Sequence, residues 1–374
     1  MNSQPTAIAP PSKVHLPALD TLRGVAIVVV LFHNLSIFVA SRTLFDKLWN
    51  AFVESGWVGV QLFFVLSGFL ITGILLDDRG EPRAIRVFYI RRFLRIFPLY
   101  YAFLILYFLV LPPFFPVLKR PVSETVWYWL YLSNWSCLAY GLLPGLGHLW
   151  SLAVEEQFYI AWPWVVVRTR RATLAWICVA IVVGSLAARV VLHGLHVSDY
   201  WLYASTICRA DALAMGALVA LAIRSEVWRP RLVRALGPLG AFAMIALLAL
   251  MALTHGMNRN NSLIQIWGYS MIGIGGAVLV AMAARPDASR WFHNRPLRFF
   301  GKYSYGIYMV HAPMKPALLY FFGDALEPML EAHPIATDVA FIGAVTLATL
   351  GIALLLWTGV EKPLLSLKER LAPR

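Results

Sequence analysis

The chain has 374 residues, of which 60% are hydrophobic and only 14% charged, and it carries a formal net charge of +13. Water-soluble globular chains carry about 25% charged residues, so the composition excludes a soluble enzyme and points to a polytopic membrane protein. Its mean hydropathy of +0.68 agrees.

A membrane-spanning helix needs about 20 mostly apolar residues. Residues 1–17 form a polar, proline-rich cytoplasmic tail that is expected to be disordered. Apolar stretches then recur near 18–39, 57–76, 96–112, 148–167 and 172–192. Five more lie near 202–223, 235–253, 263–284, 302–322 and 336–359. Together they predict an all-α bundle of about ten transmembrane helices over residues 18–360, followed by a C-terminal tail at 361–374. The apolar run 24–32 has the length of a signal-peptide core. Asp20 and Arg23 precede it, however, and no small-x-small cleavage site follows, so it reads as a retained first span. The segment 124–138 (ETVWYWLYLSNWSCL) is short and aromatic and predicts an interfacial or re-entrant helix. Cys137, Cys178 and Cys208 lie far apart in apolar surroundings. They offer neither a metal-ligand spacing nor a disulfide framework, and read as core or lipid-facing thiols.

The loops test the count. Of the 32 Lys and Arg, four fall inside the spans, namely Arg23, Arg189, Arg209 and Lys315. The tails and the even-numbered loops hold 23, and the odd-numbered loops hold only Arg42, Lys47, Lys119, Arg120 and Arg259. Basic residues concentrate on the cytoplasmic side of membranes, so ten alternating spans with both termini cytoplasmic are predicted. The positive charge thus records topology and contact with anionic lipid, and no nucleic-acid partner is expected.

A charge in mid-membrane costs several kcal/mol, about 2.5–3.5 on insertion scales, and usually faces a cavity or a partner. Here Asp20, Arg23 and His33 lie on the first span, Glu155 and Glu156 on the fourth, Arg189 on the fifth, Arg209 and Asp211 on the sixth, and His311 and Lys315 on the ninth. At a rise of about 1.5 Å per residue, His33 lies roughly 22 Å from the cytoplasmic end of its helix. Glu155, Glu156 and Arg209 lie roughly 11–12 Å from the opposite face. Shared depth predicts one polar cavity in the outer half, lined by His33, both glutamates, Arg209 and Asp211. Asp20, Asn34, Tyr308 and His311 are further candidates for that cavity or its acceptor side. Arg189, near the outer end of its span, is expected to snorkel. In "RVFYIRRFLRIFPLYY" (86–101), Arg91, Arg92 and Arg95 end the first cytoplasmic loop. Arg92 and Arg95, three apart, share a helix face and suit a phosphorylated ligand arriving from the cytosol.

Six stretches, in order, resemble the membrane acyltransferase 3 family of bacterial O-acylating enzymes. They are "LDTLRGVAIVVVLFHN" (19–34), "GWVGVQLFFVLSGFLITGIL" (56–75), "FYIRRFLRIFPLYY" (88–101), "HLWSLAVEEQFYIAWP" (148–163), "TICRADALAMGALVAL" (206–221) and "GKYSYGIYMVHAP" (301–313). The resemblance implies a multi-pass protein of the bacterial inner membrane with acyl-CoA as a cytoplasmic donor substrate and no tightly bound cofactor. It also implies a glycan or lipid-linked saccharide as acceptor at the periplasmic side, acetyl being the expected group. It maps the catalytic histidine onto His33, its arginine partner onto Arg23, the paired arginines onto Arg92 and Arg95, and the acidic motif onto Glu155–Glu156. One departure is that nine residues, rather than the family's common ten, separate Arg23 from His33. One residue fewer turns the pair by about 100°. The hydrolase-like periplasmic domain of larger relatives is absent from this sequence, so handover is expected to finish within the membrane part.

These residues predict that His33 is the base for the acceptor hydroxyl, with Glu155 or Glu156 holding its tautomer. Arg209 would steady the oxyanion, and Arg91, Arg92 and Arg95 would grip the CoA phosphates. Direct transfer and a transient acyl-histidine both fit. The alternative is a transporter or flippase for an anionic lipid-linked sugar, which also needs buried charges along a polar path.

Overall fold

The computed structural model describes residues 16–37 and 39–372, all α with no strand among them. The disorder expected of the N-terminal tail falls on residues 1–15, outside the described residues, as does the side chain of Cys137.

Helix α1 (Pro17–Leu35) opens on a proline, whose missing N–H is one that a first helical turn leaves unpaired in any case. It stops four residues short of the expected span because the carboxylate of Asp338 takes both the Ser36 hydroxyl at 2.7 Å and the Ile37 N–H at 2.8 Å. Helix α2 (Leu44–Ser55) starts at a capping box formed by Thr43 and Asp46. It turns exposed Leu44, Phe45, Leu48 and Phe52 outward. Helices α3 (Val58–Asp77) and α4 (Ala84–Ile105) follow. Helix α4 begins twelve residues before the expected third span, so Arg91, Arg92 and Arg95 belong to the long helix and not to the loop. The aromatic segment resolves into two short helices, α5 (Val122–Trp129) and α6 (Ser133–Tyr140).

Then come α7 (Leu149–Arg168), α8 (Arg171–Gly194), the short α9 (Asp199–Ala204), α10 (Thr206–Ile223), α11 (Trp228–Thr254), α12 (Tyr269–Ala283) and the short α13 (Arg295–Lys302). Helices α14 (Ser304–Ala332) and α15 (Pro334–Leu356) complete the bundle. Eight helical stretches among the described residues are long and apolar enough to cross a membrane. The other two expected spans are α7 and α14, both helical over the expected segments, with two acids and a glutamine in the first and three prolines in the second. The protein is an all-α polytopic membrane bundle. Prolines inside such helices are tolerated where neighbours re-satisfy the freed carbonyls.

Helix α3 occupies the centre, against α1, α7, α10 and α12. Its crossing with α10 depends on two glycines. A Cβ at Gly68 would sit 1.9 Å from the carbonyl oxygen of Leu213, and one at Gly216 would sit 2.0 Å from that of Val65. Backbones this close pack only without side chains between them, a device typical of membrane helices. At one end of the bundle, Arg224 pairs with Asp77 at 2.7 Å, Arg79 donates to the Thr169 carbonyl, and Arg171 donates to the Arg224 carbonyl at 3.3 Å. We call this the basic end. At the opposite end, the Trp57 indole donates to the Met257 carbonyl at 2.8 Å.

Candidate active site

Among the described residues, two cavities that enter the bundle concern these side chains. The first, about 400 Å³, reaches from Asp77, Asp78 and Arg224 at the basic end past Asp20, Arg23, Arg92 and Arg95 to Ser67 and Glu155. The second, about 360 Å³, lies under the loop 142–147 at the opposite end and contains His33, Asn34, His148, Arg259 and Lys315. Val60 and Tyr308 line both, and so form the wall between them.

In the basic cavity, Arg92 and Arg95 project from one face of α4 as their spacing predicts, but they differ. The Arg92 guanidinium lies 3.8 Å over the ring of Tyr159, and its Nε is 3.7 Å from Glu156 Oε1. It is therefore largely occupied by neutralising a buried acid. Arg95 is exposed to the cavity and makes no ion pair among the described residues. Arg23 pairs with Asp20 at 2.7 Å, one helical turn away. Glu155 faces the cavity and accepts a hydrogen bond from Ser67 on α3. The wall residue Tyr308 is held by Ser151 Oγ at 2.7 Å and donates to the His148 carbonyl at 3.0 Å.

In the second cavity, His33 Nδ1 lies 3.0 Å from the backbone carbonyl of Val53. A carbonyl only accepts, so Nδ1 carries the proton and Nε2 keeps its lone pair. The next residue, Asn34, donates from Nδ2 to Nε2 of His311 at 3.0 Å, and His311 Nδ1 donates to the Tyr308 carbonyl at 2.7 Å. Trp57, Trp150 and Tyr203 complete the aromatic part of the wall.

This geometry corrects the single shared cavity expected from depth. His33 and the two glutamates lie in different compartments, and the imidazole tautomer is set by Val53, not by Glu155 or Glu156. Helical depth counts height along an axis and says nothing about azimuth. Arg23 and His33 likewise face different cavities, as their shortened spacing implies. Arg91, expected beside Arg92 and Arg95, lines neither cavity. It donates to the Ala372 carbonyl from Nε at 2.9 Å and from Nη2 at 2.7 Å, tying α4 to the C-terminal segment. His311 is fully buried behind Asn34 and lines neither cavity.

Arg209 and Asp211, expected in the shared cavity, line neither of the two. Asp211 forms a fully buried ion pair with Arg189 at 2.9 Å and accepts from Ser270 at 2.8 Å. Arg189, expected to snorkel, is instead 0% exposed and also donates to the carbonyls of Cys208 and Ile266. Burying that charge is tolerable because its donors are met. The Arg209 guanidinium has no hydrogen-bond partner among the described residues. It lies 4.0 Å from the Tyr269 ring centroid, with Trp150 and Tyr203 at 5.4 and 5.6 Å. Ring quadrupoles hold it where water cannot.

Sequence reasoning missed Val53, Ser67 and Arg259. A backbone carbonyl has no sequence signature, a serine in an apolar helix resembles packing, and Arg259 counted only as one loop charge among five. A family model described as an acyltransferase domain, of the acyltransferase 3 type, matches residues 16–358. The chain belongs to the acyltransferase 3 family. Among relatives of this acyltransferase 3 chain is the peptidoglycan O-acetyltransferase OatA of Listeria monocytogenes, 29% identical over 327 residues, which cover 81% of this chain and 50% of the relative. A putative peptidoglycan O-acetyltransferase, YrhL of Bacillus subtilis, is 29% identical over 80% of this chain and 48% of its own length. A putative O-acetyltransferase of Staphylococcus aureus is 27% identical over 84% and 53%. The chain thus spans about half the length of the curated relatives it matches. No solved structure matches.

Proposed function

We propose that this protein is an acyl-CoA-dependent O-acetyltransferase of the bacterial inner membrane, moving an acetyl group from the cytoplasmic face to a hydroxyl of a glycan or lipid-linked saccharide on the periplasmic face. The observation that carries the reading is the pair of cavities, one towards each end of the bundle, meeting back to back at Val60 and Tyr308. The excess of Lys and Arg at the basic end supports a cytoplasmic assignment for it. A cavity of about 400 Å³ suits the thioester arm of the donor, with the nucleotide left at the mouth. Arg95, which makes no direct ion pair among the described residues, then meets a donor phosphate, while Arg92 keeps Glu156 neutralised.

His33 Nε2 takes the acceptor's hydroxyl proton as the oxygen attacks the thioester carbonyl. The C–S bond breaks, an ester C–O bond forms, and the proton passes to the departing thiolate. The Val53 carbonyl steadies the imidazolium during that interval. Tyr308 must swing aside for the two reactants to meet, and breaking its two hydrogen bonds costs about 1 kcal/mol each, an accessible motion.

Membranes carrying the protein, incubated with acetyl-CoA labelled on the acetyl group, should move label to glycan. A transporter or flippase would leave the donor intact, and that result would end the enzymatic reading.

A further inference from the structure

The His33 cavity holds two cations and is lined by no acid. The Arg259 guanidinium lies 4.9 Å from the Tyr203 ring, with Nη1 3.5 Å from the Tyr203 hydroxyl. Lys315 Nζ donates to the carbonyl of Ser36 at 2.5 Å. Neither forms an ion pair among the described residues, and no Asp or Glu lines the cavity. Asp338 acts on Lys315 through space, but its oxygens are engaged by Ser36, the Ile37 N–H and the Trp49 indole.

Both cations are held in place and are not stray surface charges. Arg259 sits in the short connection after α11, where Trp57 grips the Met257 carbonyl at 2.8 Å and the Tyr269 hydroxyl donates to the Arg259 carbonyl at 3.1 Å. Lys315 stands one turn beyond His311 on α14, half-buried. Two half-buried positive charges, fixed beside an imidazole without a direct ion pair, cost free energy that a bound anion would return.

Resting on the acetyltransferase reading, we infer that the acceptor is an anionic saccharide, whose carboxylate or phosphate binds between Arg259 and Lys315 while a neighbouring hydroxyl reaches His33. Trp57, Trp150 and Tyr203 give the cavity an aromatic wall against which a sugar ring can rest. The pair of charges then sets which hydroxyl is presented, because a charge-assisted contact fixes the ring's position before the neutral hydroxyl arrives.

The test is equilibrium binding of a labelled, carboxylate-bearing oligosaccharide to the detergent-purified protein, beside its neutral methyl ester and with free CoA as competitor. The acid should bind about tenfold more tightly than the ester, with a preference that weakens as salt rises. The preference should vanish in R259Q/K315Q and survive in R259K. Equal binding of acid and ester by the unaltered protein overturns the inference, as does displacement of the glycan by CoA, which would make this the donor's phosphate site. Preferential binding without any acetyl transfer would leave the anion site standing and overturn the acetyltransferase reading instead.

Discussion

The Nδ1–H of His33 donates to the backbone carbonyl of Val53 across 3.0 Å, from the first span to a helix that does not cross the membrane. A carbonyl cannot be protonated or titrated in the working range, so the imidazole is held in one tautomer whatever the state of the acids below. The same carbonyl accepts the N–H of Gly56 at 3.2 Å, which fixes the end of α2 and with it the orientation of the ring.

Replacing His33 with Ala removes the proton acceptor from a cavity that the rest of the chain still builds. Acetyl transfer should fall by about 10²–10⁴-fold, with protein abundance in the membrane unchanged. Immunoblotting alongside the labelled transfer assay checks both, and near-normal transfer would remove the base assignment.

Arg92 and Arg95 should part company on substitution. Losing Arg95, exposed in the basic cavity, should raise the donor's KM and lower the unfolding temperature less than loss of Arg92 does. Arg92→Ala leaves the 5% exposed Glu156 without its cation. Breaking a buried pair costs about 3–5 kcal/mol, so this variant should show a lowered melting temperature in detergent. Identical behaviour of the two variants would contradict the geometry.

Arg189→Ala isolates Asp211 at a site with 0% exposure. A loss of about 3–5 kcal/mol in stability is expected, seen as poor accumulation or early melting. Arg189→Met/Asp211→Leu, which removes both charges, should recover much of it. A double variant as unstable as the single one would show that the charges do more than pair.

At the α3–α10 crossing, Gly68→Val places methyl groups where the Leu213 carbonyl already lies. The two helices must separate, and the protein should lose its monodisperse peak on size exclusion. Gly237→Ala, in open space on α11, serves as the tolerated control.

Tyr308→Ala opens the wall between the cavities and admits water to the thioester. Hydrolysis of acetyl-CoA should rise relative to transfer to glycan. Tyr308→Phe keeps the ring but loses the Ser151 and His148 contacts, and should show a smaller change in the same ratio.

Much of the architecture was legible in the chain itself. Stretches of about 20 apolar residues are a local property, readable because a bilayer imposes one length on every span. The face shared by Arg92 and Arg95 was readable too, since helical periodicity alone decides it. Which acid meets which base was not. Glu155 and His33 belong to different cavities, Arg189, expected to snorkel, holds Asp211, and a valine carbonyl does what a glutamate was expected to do. Those pairings depend on the rotation of each helix about its axis and on how closely backbones approach, as at Gly68 and Gly216. Rotation and approach are set jointly by all neighbouring helices, so only the assembled bundle decides them.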